Sequence, residues 1–237
     1  MLKLPIAGSD QEYIVAPSKI IALGLNYRSH IAEHARVDVQ GFSADIPQEP
    51  VLFPKTPNVL IPSGASIVIP SFLKDIYSDP RVDYEAELAF FIKDRCKNVE
   101  PQNAYEHIYG FTCMNDVSQR NMQRGDKSGW FRGKSLDTFG PVGPRVVPVE
   151  LIGDPQNLEI RCRLNGKTVQ ESNTSFMIFS IREIVAYISR FFTLEAGDLI
   201  LTGTPAGVGA LKPGDVVEVE IEKIGVLTNR VEESDRV

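Results

Sequence analysis

Glu85 and Glu87 stand one residue apart in DYEAELAFF, a stretch otherwise apolar enough to be buried. Residues two apart in a strand share a face. Asp83, Glu85 and Glu87 therefore align on one side and run into Ala89 and Phe91, while Tyr84, Ala86, Leu88 and Phe90 form the other. Two aligned carboxylates make either a solvated strand edge or part of a cation site. A third acid, Asp116, comes after the strand-like YGFTCMN, where the chain changes character. If the fold brings it to the pair, three hard oxygen donors result, a set suited to Mg²⁺ or Mn²⁺, with Ca²⁺ also accommodated. Three protein ligands on an octahedral ion leave about three positions for water or substrate, which suits catalysis better than a closed structural shell.

Further candidates lie along the chain. Asp116 reads as the N-cap of a short helix over DVSQRNMQ. Arg120 and Gln123, at i+4 and i+7 from it, then share a face. A guanidinium and an amide beside a metal suit a substrate carboxylate; an ordinary polar helix face is the alternative. Lys134, in FRGKSLDTFGPVG, either stabilises negative charge developing near the ion or is a plain loop lysine. LTGTPAGVG has neither the GK[ST] ending of a phosphate loop nor the GxGxxG spacing of a dinucleotide site. It suits close approach of the backbone and the Thr204 hydroxyl to a small ligand, or a turn at Gly207 and Gly209. His30 and Glu33 in NYRSHIAEHAR are helix neighbours at i and i+3. His30 and His34 have zinc-like i, i+4 spacing, but no third soft ligand is evident.

The elements that must position these groups are mostly strands. KIIALGLNY, VLF, ASIVI, YEAELAFFI and YGFTCMN read as strands, as do DLILTG and the alternating pair in DVVEVEIEKIGVLTNRV. SIREIVAYISRFF is the clearest helix: Ser180 and Glu183 form a capping box, and Ile181, Ile184, Val185, Ile188 and Phe192 form one apolar face. The polar VDVQGFSADIPQEP predicts a mobile loop. The expectation is an α+β, β-dominated domain, because strands do not alternate regularly with long helices. The 237 residues, 43% apolar and 24% charged, describe an ordinary globular chain. A formal charge of −6 disfavours nucleic acid or an anionic membrane as partner. No stretch approaches the roughly 18 apolar residues of a membrane span. The MLKLPIAGSD start has no signal-peptide pattern, and three widely spaced cysteines, Cys96, Cys113 and Cys162, fit buried thiols in a reducing cytoplasm.

Taken in order, GLNYRSHIAE, EPVLFPK, DYEAELAFFI, YGFTCMNDVSQRNMQ, GKSLDTFGPVGP, RLNGKTVQESNTSFMIFSI and GDLILTGTPAGVG resemble the fumarylacetoacetate hydrolase family. The likeness is strongest to its smaller acylpyruvase, oxaloacetate decarboxylase and isomerase members, including 2-hydroxyhepta-2,4-diene-1,7-dioate isomerases of aromatic degradation. It runs from about Lys19 to the C-terminus, setting apart an N-terminal segment, 1–18, from a single catalytic domain, 19–237, with a lid region at about 26–50. The resemblance implies a mixed β-roll, usually a homodimer, and an E-x-E…D metal site matched by Glu85, Glu87 and Asp116, holding Mg²⁺ or Mn²⁺. It further implies substrate contacts from Arg120, Gln123 and Thr204, a catalytic Lys134, and a His30–Glu33 dyad on the lid. Many acylpyruvases read GRNY where this chain has GLNY, with Leu25 in the arginine's place. The implied activity is cleavage or decarboxylation of a small 2-oxo acid through an enolate. Isomerisation of an unsaturated oxo-dicarboxylate, or a non-catalytic fold holding structural calcium, are the alternatives.

Overall fold

The computed structural model describes residues 1–34, 46–125, 127 and 130–234. Most of the loop expected over Val37–Pro50, and with it the centre of the lid region, lies outside them, as does the side chain of His34.

Seven strands form the central sheet, in the order Val51–Lys55, Ile20–Gly24, Leu199–Leu201, Ala86–Ile92, Ile108–Asn115, Gly140–Pro148 and Leu60–Ile61. Pairing is antiparallel except at two places, Ile20–Gly24 with Leu199–Leu201 and Leu60–Ile61 with Gly140–Pro148. A second sheet orders Lys167–Asn173, Glu159–Leu164, Val216–Ile221, Gly225–Glu233 and Ser66–Ile69. Leu88, Phe90, Phe111 and Cys113 of the first sheet share a core with Ile160, Cys162, Val219 and Leu227 of the second. The opposite face of the first sheet, with Ala89, Phe91, Met114 and Leu201, is covered by Leu4 and Val15 of the N-terminal hairpin. With both faces covered, Ala86–Ile92 is buried at every residue, which explains why that stretch reads as an apolar run. The β-dominated α+β expectation holds.

Helix Ile181–Phe191 has the expected capping box, Ser180 with Glu183, and buries Ile181, Ile184, Val185 and Ile188. Phe192 departs from expectation. It lies beyond the helix end, with extended backbone, and is 47% exposed.

Two further departures shape the site. The strand expected across Tyr84–Ile92 is broken at Glu85. Val82–Tyr84 belongs to a small sheet with Ser118–Gln119 and Gly209–Ala210, and Ala86–Ile92 to the central one. Side chains replace the strand ladder at the break: the Glu85 N–H donates to Asn115 Oδ1 at 2.9 Å and the Ala86 N–H to Gln170 Oε1 at 3.0 Å. Asp116 does not cap a helix. Ser118 and Gln119 pair with Asp83 and Val82, and the helix begins only at Arg120, spanning Arg120–Gly125. A long-range strand partner thus overrides the local capping preference of Asp116.

Candidate active site

The break at Glu85 and the short strand after Asp116 bring the three acids together. The Asp116 N–H donates to the Glu85 carbonyl at 2.9 Å. One carboxylate oxygen each from Glu85, Glu87 and Asp116 lie within 4.8 Å of one another, and all three residues are buried. Glu87 is held by the Gly203 N–H, which donates to its Oε2 at 2.7 Å. Gly203 has φ +94°, and a Cβ there would meet Asn26 Cβ at 2.8 Å, so glycine is what lets this backbone reach the acid.

Three cations converge on the acids. Lys134 Nζ lies 2.7 Å from Glu85 Oε2 and 2.5 Å from Asp116 Oδ2, and 4.8 Å above the Phe53 ring. Lys134 ends the short helix Phe131–Lys134, which packs on helix Arg120–Gly125 because Gly133 carries no Cβ; one would meet Gln119 O at 2.7 Å. Lys55 Nζ lies 2.6 Å from Asp116 Oδ1 and donates to the Lys134 carbonyl at 2.5 Å. Arg120 donates through Nε to Asp83 Oδ2 at 2.8 Å and through Nη1 to Gln123 Oε1 at 2.9 Å, and its Nη2 lies 2.5 Å from Glu85 Oε1.

Burial pushes every carboxyl up, and neighbours decide the outcome. For Glu85 burial is opposed by Lys134, Arg120 and His30, which hold it well below the usual carboxylate range. For Glu87 burial is reinforced by Asp116 and Glu85, and its affinity for a proton is well above normal. Burial lowers Lys55 despite Asp116, whereas for Lys134 the pull of Asp116 and Glu85 outweighs burial and raises it. Arg120, buried between Glu85 and Asp83, stays firmly charged. Among the described residues no lysine or arginine pairs with Glu87. A buried carboxyl in that state needs a proton or another cation. Three converging oxygens with one acid uncompensated therefore fit a hard divalent ion.

Glu85 and Glu87 open on a cavity lined also by His30, Arg120, Gln123, Lys134 and Thr204, with an apolar wall of Leu25, Phe53 and Trp130. This partly open cavity offers about 20 Å³ to the centre of a water-sized sphere, room for about one water. Leu25 sits there with φ +60°, an uncommon conformation for a residue with a side chain. Asp116, fully buried, is not on the cavity wall. Glu33 is also off the wall: its carboxylate accepts the Gly207 N–H at 3.0 Å, and its Oε2 is 3.6 Å from His30 Nδ1. The tie between His30 and Glu33 is thus looser than a hydrogen bond, and Glu33 anchors the glycine loop instead.

Three contributors were not foreseen. Lys55 ends strand Val51–Lys55, in which it and Phe53 are the buried residues, and a lysine ending VLFPK was a readable signal. Asp83, beside the glutamates in sequence, turns to Arg120 and Arg81. Gln170, from the other sheet, accepts from the Ala86 N–H and donates to Thr204 Oγ1 and the Pro205 carbonyl, both at 2.9 Å. It ties the strand between the two glutamates to the Thr204 loop, and nothing local announces it.

A family model described as fumarylacetoacetate (FAA) hydrolase C-terminal matches residues 19–232. The mitochondrial oxaloacetate tautomerase of Xenopus laevis is 41% identical over 92% of this chain and 66% of its own length. A crystal structure of fumarylpyruvate hydrolase from Pseudomonas aeruginosa, in complex with Mn²⁺ and pyruvate, is 30% identical with TM-score 0.83, covering 98% of this chain and 96% of that one. A 2-hydroxyhepta-2,4-diene-1,7-dioate isomerase from Mycobacterium marinum is 36% identical with TM-score 0.80, covering 96% and 83%.

Proposed function

This chain belongs to the fumarylacetoacetate hydrolase family, and from that premise we propose that it is a divalent-metal-dependent enzyme acting on a small 2-oxo acid through an enolate. The observation that carries the reading is the uncompensated Glu87 among three converging acids, beside a cavity walled by Arg120, Gln123, Lys134 and Thr204. Glu85, Glu87 and Asp116 would hold Mg²⁺ or Mn²⁺, which would supply Lewis-acid stabilisation of negative charge on the substrate's keto oxygen. Lys134 brings a fixed positive charge to the same edge, the kind of preorganised group whose loss costs about 3–4 kcal/mol of barrier. Each Nη of Arg120 keeps a second hydrogen for the substrate carboxylate, with the Gln123 amide beside it. Thr204 accepts from Gln170, leaving its own hydroxyl hydrogen to orient the ligand.

The finer assignment is C–C cleavage, by hydrolysis of an acylpyruvate or decarboxylation of an oxaloacetate-type acid. Hydrolysis needs a water activated for attack on the distal carbonyl, and His30, buried on the cavity wall, is the candidate base for its proton. A second reading rests on the tautomerase and isomerase relatives: the same enolate, reprotonated without loss of a bond. A purely structural calcium site is disfavoured because a closed oxygen shell has no use for the buried Lys134 and Arg120 held against Glu85. The reading extends to a homodimer working in the cytoplasm, checked by sedimentation and fractionation. Among the described residues no helix is long and apolar enough to cross a membrane.

Oxalate, an enolate mimic, provides the test. It is expected to raise the melting temperature only with Mg²⁺ or Mn²⁺ present; metal stabilisation indifferent to oxalate would reject the enzymatic reading. The reactions separate at His30→Ala, which should lose acylpyruvate hydrolysis while sparing decarboxylation or tautomerisation of oxaloacetate. Equal loss of both would remove His30 as the base.

A further inference from the structure

At the far end of strand Ala86–Ile92, roughly 20–25 Å of strand away from Glu85, another set of ligand-bearing side chains meets. Asp94 and Cys96 come just after the strand, and His107 ends the 3₁₀ helix Pro101–His107 before strand Ile108–Asn115 begins. One donor atom each from Asp94, Cys96 and His107 lie within 4.8 Å of one another. The sequence hides this meeting, since Asp94, Cys96 and His107 match no standard zinc spacing.

The backbone around the three is fixed. The Cys96 N–H donates to the Leu194 carbonyl and the Leu194 N–H to the Cys96 carbonyl, both at 3.0 Å, and the Lys93 N–H donates to the His107 carbonyl at 2.8 Å. His107 Nδ1 already holds Asp94 Oδ1 at 2.6 Å. Donors bound at about 2.0–2.3 Å around a tetrahedral zinc stand roughly 3.3–3.8 Å from each other. The present spacing brackets that range, so side-chain rotation of about an ångström reaches it. Asp94 is exposed, Cys96 buried and His107 between them, so a fourth position can open to water.

We propose that Asp94, Cys96 and His107 form a second metal site, of the zinc class, that clips together the two ends of the connection between strands Ala86–Ile92 and Ile108–Asn115. The donor chemistry sets its selectivity. Thiolate and imidazole favour Zn²⁺, whereas the all-oxygen Glu85–Glu87–Asp116 set favours Mg²⁺ or Mn²⁺. Burial, with Asp94, Asp198 and Glu195 nearby, pushes the Cys96 thiol up to about 11. A bound cation reverses this, because a coordinating thiol gives up its proton. A clip across this short connection adds a modest restraint to the unfolded chain, since loop-closure entropy grows only slowly with length.

The test titrates Co²⁺ into the full chain with Mg²⁺ in large excess to occupy oxygen sites. A thiolate-to-cobalt charge-transfer band in the near ultraviolet, saturating at about one equivalent, is expected. Cys96→Ser should abolish it, His107→Gln should weaken Co²⁺ binding roughly tenfold or more, and Glu85→Gln should leave it intact. Zn²⁺ should raise the melting temperature of the parent chain and not that of His107→Gln, a surface change that keeps the test open if Cys96→Ser fails to fold. No band, a band that survives Cys96→Ser, or one lost with Glu85→Gln overturns the proposal. None of these outcomes bears on the 2-oxo acid reading, whose test uses oxalate.

Discussion

Two regions of this protein carry glutamates one residue apart. Glu85 and Glu87 flank Ala86 at the break between two sheets; Glu218 and Glu220 flank Val219 on strand Val216–Ile221. The second pair has Val217, Val219 and Ile221 buried beneath it, while its acids reach up to Arg163, Glu218 at 3.1 Å and Glu220 at 2.5 Å. Their side chains are 27% and 35% exposed, so water and one arginine screen the charge. At Glu85 and Glu87 both faces are covered, screening is absent, and the chain brings Lys55, Arg120 and Lys134 inward from other elements. Spacing is the same in both places. What makes one of them a site is that its charges have no solvent to turn to.

Breaking the buried pair should have the largest effect. Glu85→Gln or Asp116→Asn is expected to abolish metal-dependent turnover of any 2-oxo acid and to remove the metal-dependent stabilisation by oxalate; full activity in either variant would discard the ligand assignment. Gln170→Leu sharpens the comparison by leaving the strand intact and cutting its tie. It strands the Ala86 N–H and frees the Thr204 loop, at a cost of about 1–3 kcal/mol for the unmet buried group. Urea unfolding should show the loss, and kcat/KM should fall with it; wild-type values in both assays would show the tie to be idle. Glu220→Gln should be the smallest change, leaving turnover at the wild-type rate and the melting temperature within a degree or two, as surface pairs usually do. A large loss there would mean the exposed pair matters in a way its solvation argues against.

Legibility tracked the range of the forces involved. Helix Ile181–Phe191 was readable because a capping box and an apolar stripe are local, although Phe192 escaped once the helix stopped short of it. Strand Ile20–Gly24 was readable as a short apolar run. Asp116 was readable as an important acid. The short strand Ser118–Gln119 after it was not, because pairing of Ser118 with Asp83 depends on a strand far earlier in the chain. The acids, Arg120, Gln123, Lys134, Thr204 and His30 were all nameable in advance, and the fold gathers them around one buried cluster and its cavity. Gln170 was not, since an amide in a polar stretch has no signature until its partners surround it.

By itself the order of residues determined the inventory: which acids, which cations, which local helices and strands, and a β-rich chain with enough apolar surface to bury them. Tertiary structure alone decided which of two equally spaced glutamate pairs lost its water, where Lys55 and Gln170 ended, and that Cys96 would meet His107. The reason is physical. Side-chain type and periodicity act over a few residues, whereas desolvation and the pairing of charges depend on everything that packs around them.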